Sequence, residues 1–260
     1  DKIEAPLRRF AENNIQLTIP RCKRFNKKVV RKYAFDALIV GSDQVWRPMY
    51  NYYIEDCFLS FVSHMNLKRV AYAASFGTDK WEFTQQQTEQ CAVLAKDFDG
   101  ISVREKSGIT LCNQFLGVNA THVLDPTLLM KSQDYIKLCS HISKREPFVF
   151  AYVLDENEEK RKSIVDFAER RGLPYFIKGA DNTVSGDDTI ELWLSFFRDA
   201  AFVVTDSFHG TAFSIIFNKD FYVFGNEKRG NSRFDSLLET FDLKDRMVNN
   251  ILPENIESID

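Results

Sequence analysis

The sequence predicts an α/β fold of two Rossmann-like domains, each built on a parallel sheet, with a cleft between them. Two observations carry this. Short apolar runs alternate with segments of helical period, and that alternation occurs in two series meeting near Lys144–Pro147. Strand–helix alternation favours right-handed βαβ units around parallel sheets. The expected domains are residues 1–145 and 146–260, and 260 residues suffice for two cores.

In the first series a short helix over Leu7–Ile15 precedes a basic stretch, Arg21 to Lys32, that reads as a solvated face. Strands follow at Ala37–Val40 and Val70–Ala74. Thr84 and Gln87 form a capping box, and Cys91, Leu94, Ala95 and Phe98 repeat at i, i+3, i+4, i+7, which gives the next helix one buried face. A strand at Ile101–Val103, a helix over Glu105–Leu116 and a strand from His122 to Leu124 reach Asp125-Pro126. The second series has strands at Phe148–Val153, Pro174–Ile177, Phe202–Val204 and Phe221–Phe224. Its helices are Glu156–Arg171, Ile190–Arg198 and Phe208–Phe217, and Gly179–Asp188 is a polar loop. A last helix carries Phe234, Leu237, Leu238 and Phe241 on one face behind Ser232 as its cap.

Composition excludes several roles. With 34 Lys and Arg against 37 Asp and Glu the net charge is −3, so no broad basic face for nucleic acid is expected. There is no apolar run of transmembrane length, no secretory leader in this stretch of chain, and no C-x-x-C or H-x-x-x-H spacing for a metal. Five scattered cysteines read as reduced thiols, and the expected location is cytoplasmic.

In such sheets ligands bind beyond the carboxyl ends of the strands. Four polar clusters fall there. Gly41-Ser42-Asp43-Gln44-Val45-Trp46 offers three hydrogen-bonding side chains and an indole, or a turn with an Asp cap. Ser75-Phe76-Gly77 closes the next strand and is equally compatible with a plain turn. Arg104 ends a buried strand, where a guanidinium demands an anion: a ligand carboxylate or phosphate, or an acid such as Glu105. Thr205-Asp206-Ser207-Phe208-His209-Gly210-Thr211 opens an apolar helix, whose buried N-terminus suits a phosphate and whose His209 can donate a proton. Arg233, entering the last helix, is expected to face the cleft, and Lys228 and Arg229 to face solvent.

The segments GSDQVW (41–46), SFG (75–77), SVREKSG (102–108), DPTLL (125–129), TDSFHG (205–210) and GNSRFDSLL (230–238) resemble, in this order, the polysaccharide pyruvyl transferase family. The resemblance implies a GT-B-like two-domain fold, phosphoenolpyruvate as donor, a saccharide or glycan-lipid acceptor, and no cofactor or metal. It maps the family's donor-site Arg and His onto Arg104 and His209. Family members usually open with a strand and an Asn-Tyr-Gly loop, which do not precede Phe35 here, so the acceptor side is expected to be incomplete. On this reading the second domain is the donor side. Ser207, Phe208, Gly210, Thr211 and Arg233 join Arg104 on the donor, and His209 is the general acid. Asp43 is the base, and Ser42, Gln44, Trp46, Ser75 and Gly77 line the acceptor. The competing expectations are a glycosyltransferase using a nucleotide sugar and a non-catalytic glycan-binding protein.

Overall fold

A computed structural model describes residues 5–15, 26–179, 189–225 and 230–254. In chain order it has α1 (Ala5–Asn14), α2 (Lys27–Tyr33), β1 (Ala37–Val40), β2 (Lys68–Ala74), α3 (Gln85–Ala95), β3 (Gly100–Val103), α4 (Lys106–Leu111) and β4 (Thr121–His122). Then come α5 (Ser132–Leu138), β5 (Val149–Tyr152), α6 (Glu158–Arg170), β6 (Tyr175–Lys178), α7 (Ile190–Asp199), β7 (Phe202–Thr205), α8 (Phe208–Ile216), β8 (Asp220–Phe224), α9 (Ser232–Thr240) and β9 (Met247–Val248).

Both expected sheets are present and wholly parallel. One runs β1-β2-β3-β4 and the other β6-β5-β7-β8-β9. In the five-stranded sheet β5, β7 and β8 are apolar and buried almost throughout, as strands covered on both faces must be. The four-stranded sheet rests on an aromatic core in which Trp46 stacks on Phe58 at 4.6 Å and meets Phe76 at 5.4 Å.

The chain does not divide once near residue 145. One unit comprises Arg21–Leu129 and Glu227–Phe241, the other Asp1–Pro20, Met130–Asn226 and Asp242–Asp260. Packing explains the exchange. Tyr135 of α5 meets Phe213 edge-on at 4.9 Å, and Arg198 of α7 donates to the carbonyls of Cys139 and Ile142 at 2.8 and 3.1 Å. Residues 130–145 are thereby bound to the five-stranded unit. Conversely α9 joins the four-stranded unit: Lys106 N donates to Ser236 Oγ at 2.9 Å, and Lys106 Nζ to Glu239 at 2.7 Å.

Local chemistry follows the sequence at most helix ends. The capping box is formed, with Gln87 N donating to Thr84 Oγ1 at 3.2 Å and Thr84 N to Gln87 Oε1 at 3.0 Å. Part of the basic stretch is helical: Asn26 caps α2, Val30 is buried, and Lys27, Lys28, Arg31 and Lys32 stay exposed. The expected helix after Glu105 is α4 followed by a π-turn over Cys112–Leu116, which stops at Gly117 in the left-handed region. Ser232 does not cap α9. It is already the first helical residue, and Asn231 before it has helical dihedrals rather than the extended backbone a side-chain cap needs. The loop at 180–188, Cys22, Lys228 and Arg229 lie outside the described residues.

The five-stranded unit is locked at its strand ends by Asp206, which is fully buried. Its carboxylate accepts from Leu154 N at 2.6 Å, Asp155 N at 3.1 Å and Lys160 Nζ at 2.9 Å. Removing one partner of a buried ion pair strands the other charge, at about 3–5 kcal/mol. Lys160→Met is expected to lower stability by about 3 kcal/mol, read in chemical denaturation. A variant as stable as the parent would show that the two backbone donors alone satisfy Asp206.

Candidate functional site

In the four-stranded unit the ends of β1 and β3 and the segment after β4 meet in one polar constellation. Arg104, one residue past β3, is 3% exposed. Its Nη1 donates to Asp125 Oδ2 at 2.8 Å and its Nη2 to Asp43 Oδ1 at 3.3 Å. The anion that the buried guanidinium demands is therefore supplied by Asp125 and Asp43. Glu105 attracts Arg104 electrostatically, while its Oε1 is hydrogen-bonded to Phe76 N and Gly77 N.

Asp125 is the hub, and the sequence reading assigned it no role. Besides Arg104 it accepts from Ser42 Oγ at 3.2 Å, Thr127 N at 3.0 Å and Thr127 Oγ1 at 2.8 Å. The available signal was an acid followed by Pro126 directly after a strand, at the edge where ligands bind. Asp43, by contrast, has a side chain 72% exposed. It is the open carboxylate of the group.

Arg233 belongs to this same constellation, since α9 packs on the four-stranded unit. It is 5% exposed. Burial, reinforced by repulsion from Arg104, pulls its guanidinium down to about 10; Glu105 and Asp43 pull it up, and Arg47 pushes it down further. Arg47 is itself neutralised by a two-point pair with Glu82, at 2.9 and 3.0 Å. Arg233 is thus a desolvated cation under the influence of two other guanidinium groups and two carboxylates.

The expected acceptor residues separate into two groups. Ser42 is spent on Asp125, and Gln44 accepts from Arg47 Nη1 at 3.1 Å. Trp46 does not face a crevice: it is fully buried, stacked on Phe58, and donates to the Cys57 carbonyl at 3.1 Å. An indole large and apolar enough to stack on a ligand also fills a core, and here the core takes it. Ser75 and Gly77 are buried as well. Ser75 Oγ accepts from Gly77 N at 3.0 Å, and Glu105 Oε1 accepts from Phe76 N and Gly77 N at 2.7 and 3.1 Å. Gly77 sits at φ +74, and a Cβ there would lie 1.9 Å from Gln44 Oε1. Another at Gly230 would lie 1.8 Å from the Gly77 carbonyl, so the turn before α9 rests directly on this loop. Both therefore act as scaffold for the constellation.

In the five-stranded unit the strand order reverses between β5 and β7, the point at which such sheets bind ligands. α8 begins there. Ser207 caps it, Oγ accepting from Gly210 N at 3.3 Å, and Ser207 N donates to Thr205 Oγ1 at 3.0 Å. His209 in the first turn is half-buried, its ring edge-on to Phe208 at 5.5 Å. Three expected donor contacts are turned inward instead. Phe208 and Thr211 are buried, Thr211 Oγ1 donating to the Ser207 carbonyl at 3.1 Å. A Cβ on Gly210 would lie 2.1 Å from Thr205 Oγ1, so this glycine lets the helix start approach β7.

Among the described residues no group of three or more His, Cys, Asp or Glu is placed to hold a metal ion, and no helix is long and apolar enough to cross a membrane. Cys57, Cys91, Cys112 and Cys139 are free thiols. Burial pushes Cys91 and Cys112 up to about 12.

A family model for polysaccharide pyruvyl transferase matches residues 4–228. No curated protein matches the chain. Among solved structures it is similar to the UDP-GlcNAc 2-epimerase of Methanocaldococcus jannaschii in complex with UDP-GlcNAc and UDP. The TM-score is 0.50 with 11% identity, over 86% of this chain and 68% of that one, which is a likeness of fold.

Glu105 yields a pH prediction. Desolvation raises its carboxyl against the pull of Arg104 and of its donors Ser75, Gly77 and Phe76. A carboxyl raised in the folded state favours folding below its unfolded value, and that contribution is lost as pH rises through the folded one. Glu105→Gln, which can keep an oxygen toward Phe76 N and Gly77 N, is expected to gain stability relative to the parent as pH rises from about 4.5 to 8. Parallel melting temperatures across that range would contradict this.

Proposed function

The chain belongs to the polysaccharide pyruvyl transferase family, and from that premise we propose that it moves a pyruvyl group from phosphoenolpyruvate onto a saccharide acceptor. The observation that carries the reading is two buried guanidinium groups in one unit, Arg104 just past β3 and Arg233 at the start of α9, which repel each other, with the largely exposed carboxylate of Asp43 paired to Arg104.

Phosphoenolpyruvate has a carboxylate and a phosphate on one enol carbon. Ketal formation adds a proton to the methylene carbon, which leaves the neighbouring carbon electron-poor. One sugar hydroxyl adds there and gives up its proton, phosphate departs with its bonding pair, and a second hydroxyl adds in its place, passing its proton to the departing phosphate as the ketal closes. This chemistry requires anion holders, a proton donor and a proton acceptor.

We assign anion holding to Arg233 and Arg104. Charge-assisted hydrogen bonds contribute about 1.5–3 kcal/mol each. Arg104 is held in place for this by Asp125 and Asp43. Asp43 is our base for an acceptor hydroxyl. His209, in the first turn of α8 beside Ser207, is our proton donor. The acceptor's identity enters only as a saccharide.

Phosphate release from phosphoenolpyruvate across a panel of saccharides tests the proposal. His209→Ala should lower turnover by about 10²–10⁴ with an unchanged circular dichroism spectrum. Arg233→Ala should raise the donor KM while leaving the acceptor KM near its parent value; the opposite pattern would remove Arg233 from the donor. Stabilisation by UDP-GlcNAc but not by phosphoenolpyruvate in a thermal-shift titration would favour a nucleotide-sugar enzyme instead.

A further inference from the structure

The stretch of chain leaving the site loop carries a feature the proposed chemistry does not use. Between Arg47 and Ile54 four large side chains face solvent: Met49 at 66% exposure, Tyr50 at 51%, Tyr52 at 88% and Tyr53 at 48%. They are not an overflow from the core, since Trp46, Ile54 and Phe58 on either side of them are essentially inaccessible and fill it. Contiguous exposed apolar surface marks interaction sites, whereas scattered single side chains need no such explanation.

The cluster is also held firmly. The Asn51 side-chain amide donates to the carbonyls of Gln44 and Val45, both at 3.1 Å, and of Arg47 at 3.3 Å. Tyr50 N donates to the Arg47 carbonyl at 3.1 Å, and Asn51 N to that of Pro48 at 3.2 Å. The Arg47 guanidinium, fixed by Glu82, lies 5.3 Å from the Tyr50 ring centre. Tyr52 and Tyr53 meet edge-to-face at 4.8 Å. One side-chain amide thus ties this surface to the backbone of Gln44, the residue after Asp43.

Its chemistry selects the ligand. A tyrosine presents an apolar face and a hydroxyl rim, and a sugar ring presents a C–H face and a rim of hydroxyls. Local charge does not favour an anionic partner: the segment's cation, Arg47, is paired with Glu82, and Glu55 and Asp56 follow the segment in the chain. A neutral saccharide fits where a nucleic acid or an anionic lipid surface does not.

We propose that Tyr50, Tyr52 and Tyr53, with Met49 at the edge, form a stacking platform for a sugar unit of the acceptor chain, next to the unit that receives the pyruvyl group. The acceptor role rests on the transferase reading above; the stacking itself needs no donor.

The test uses the whole chain without phosphoenolpyruvate, with saturation-transfer NMR on a panel of neutral tetrasaccharides built from hexoses or N-acetylhexosamines. At least one should bind, with saturation concentrated on ring C–H protons. Tyr50→Ala and Tyr52→Ala should weaken it roughly ten-fold, and Tyr52→Phe should keep most of the binding. Tyr175→Ala, on β6 of the other unit, should change nothing. Absence of binding to the parent, or equal binding by Tyr52→Ala, overturns the platform. So does a result in which the alanine variants lose only a concentration-dependent dimer. Saccharide binding that falls in the variants, without phosphate release from phosphoenolpyruvate, would keep the platform and sink pyruvyl transfer. Turnover with an acceptor KM indifferent to Tyr50 and Tyr52 would do the reverse.

Discussion

The buried pair of Arg104 and Asp125 organises the four-stranded unit. A guanidinium and a carboxylate this deeply buried persist only when nearly every hydrogen-bonding position is used. That requirement recruits Ser42 and Asp43 from the end of β1 and Thr127 from beyond β4. Three strand ends are thus tied to one carboxylate–guanidinium contact of 2.8 Å. The end of β2 is tied separately, through Glu105, whose carboxylate holds the backbone of Phe76 and Gly77. The edge of the sheet is cross-linked by these bonds with no ligand present, the kind of fixed geometry that positioning a reactant needs.

The five-stranded unit solves the same problem with Asp206, which spans the reversal in strand order by holding the backbone after β5 from a position after β7. Here the charge is matched by Lys160, whose ammonium also lies 5.5 Å from the Phe224 ring centre. In both units a buried acid beyond a strand end is structural, and Asp43 in one and His209 in the other are left more accessible.

Periodicity made the strands and most helices legible, because a sheet covered on both faces leaves its apolar runs unbroken in the sequence. Ligand-edge clusters were legible for the same reason: they begin where those runs stop. What each residue does there was less so. Trp46 and Thr211 look identical on paper whether they face a ligand or the core, and only packing distinguishes them. Asp125 was visible but mute, since its partners lie on strands far away in sequence. The return of α9 to the early unit had no local signal, because an amphipathic helix states which face it buries and not against what.

That return has a consequence for biosynthesis. Chains emerge from the ribosome N-terminus first, at about 5–20 residues per second, and early segments begin folding before late ones exist. The strands bearing Asp43, Arg104 and Asp125 are all synthesised by residue 125, yet Arg233 and the helix that seats it arrive about a hundred residues later. The nascent four-stranded unit must therefore wait with an unfinished surface over α4 while the intervening strands are made. An expression fragment that stops at Leu129 would carry the carboxylate hub but never the second guanidinium.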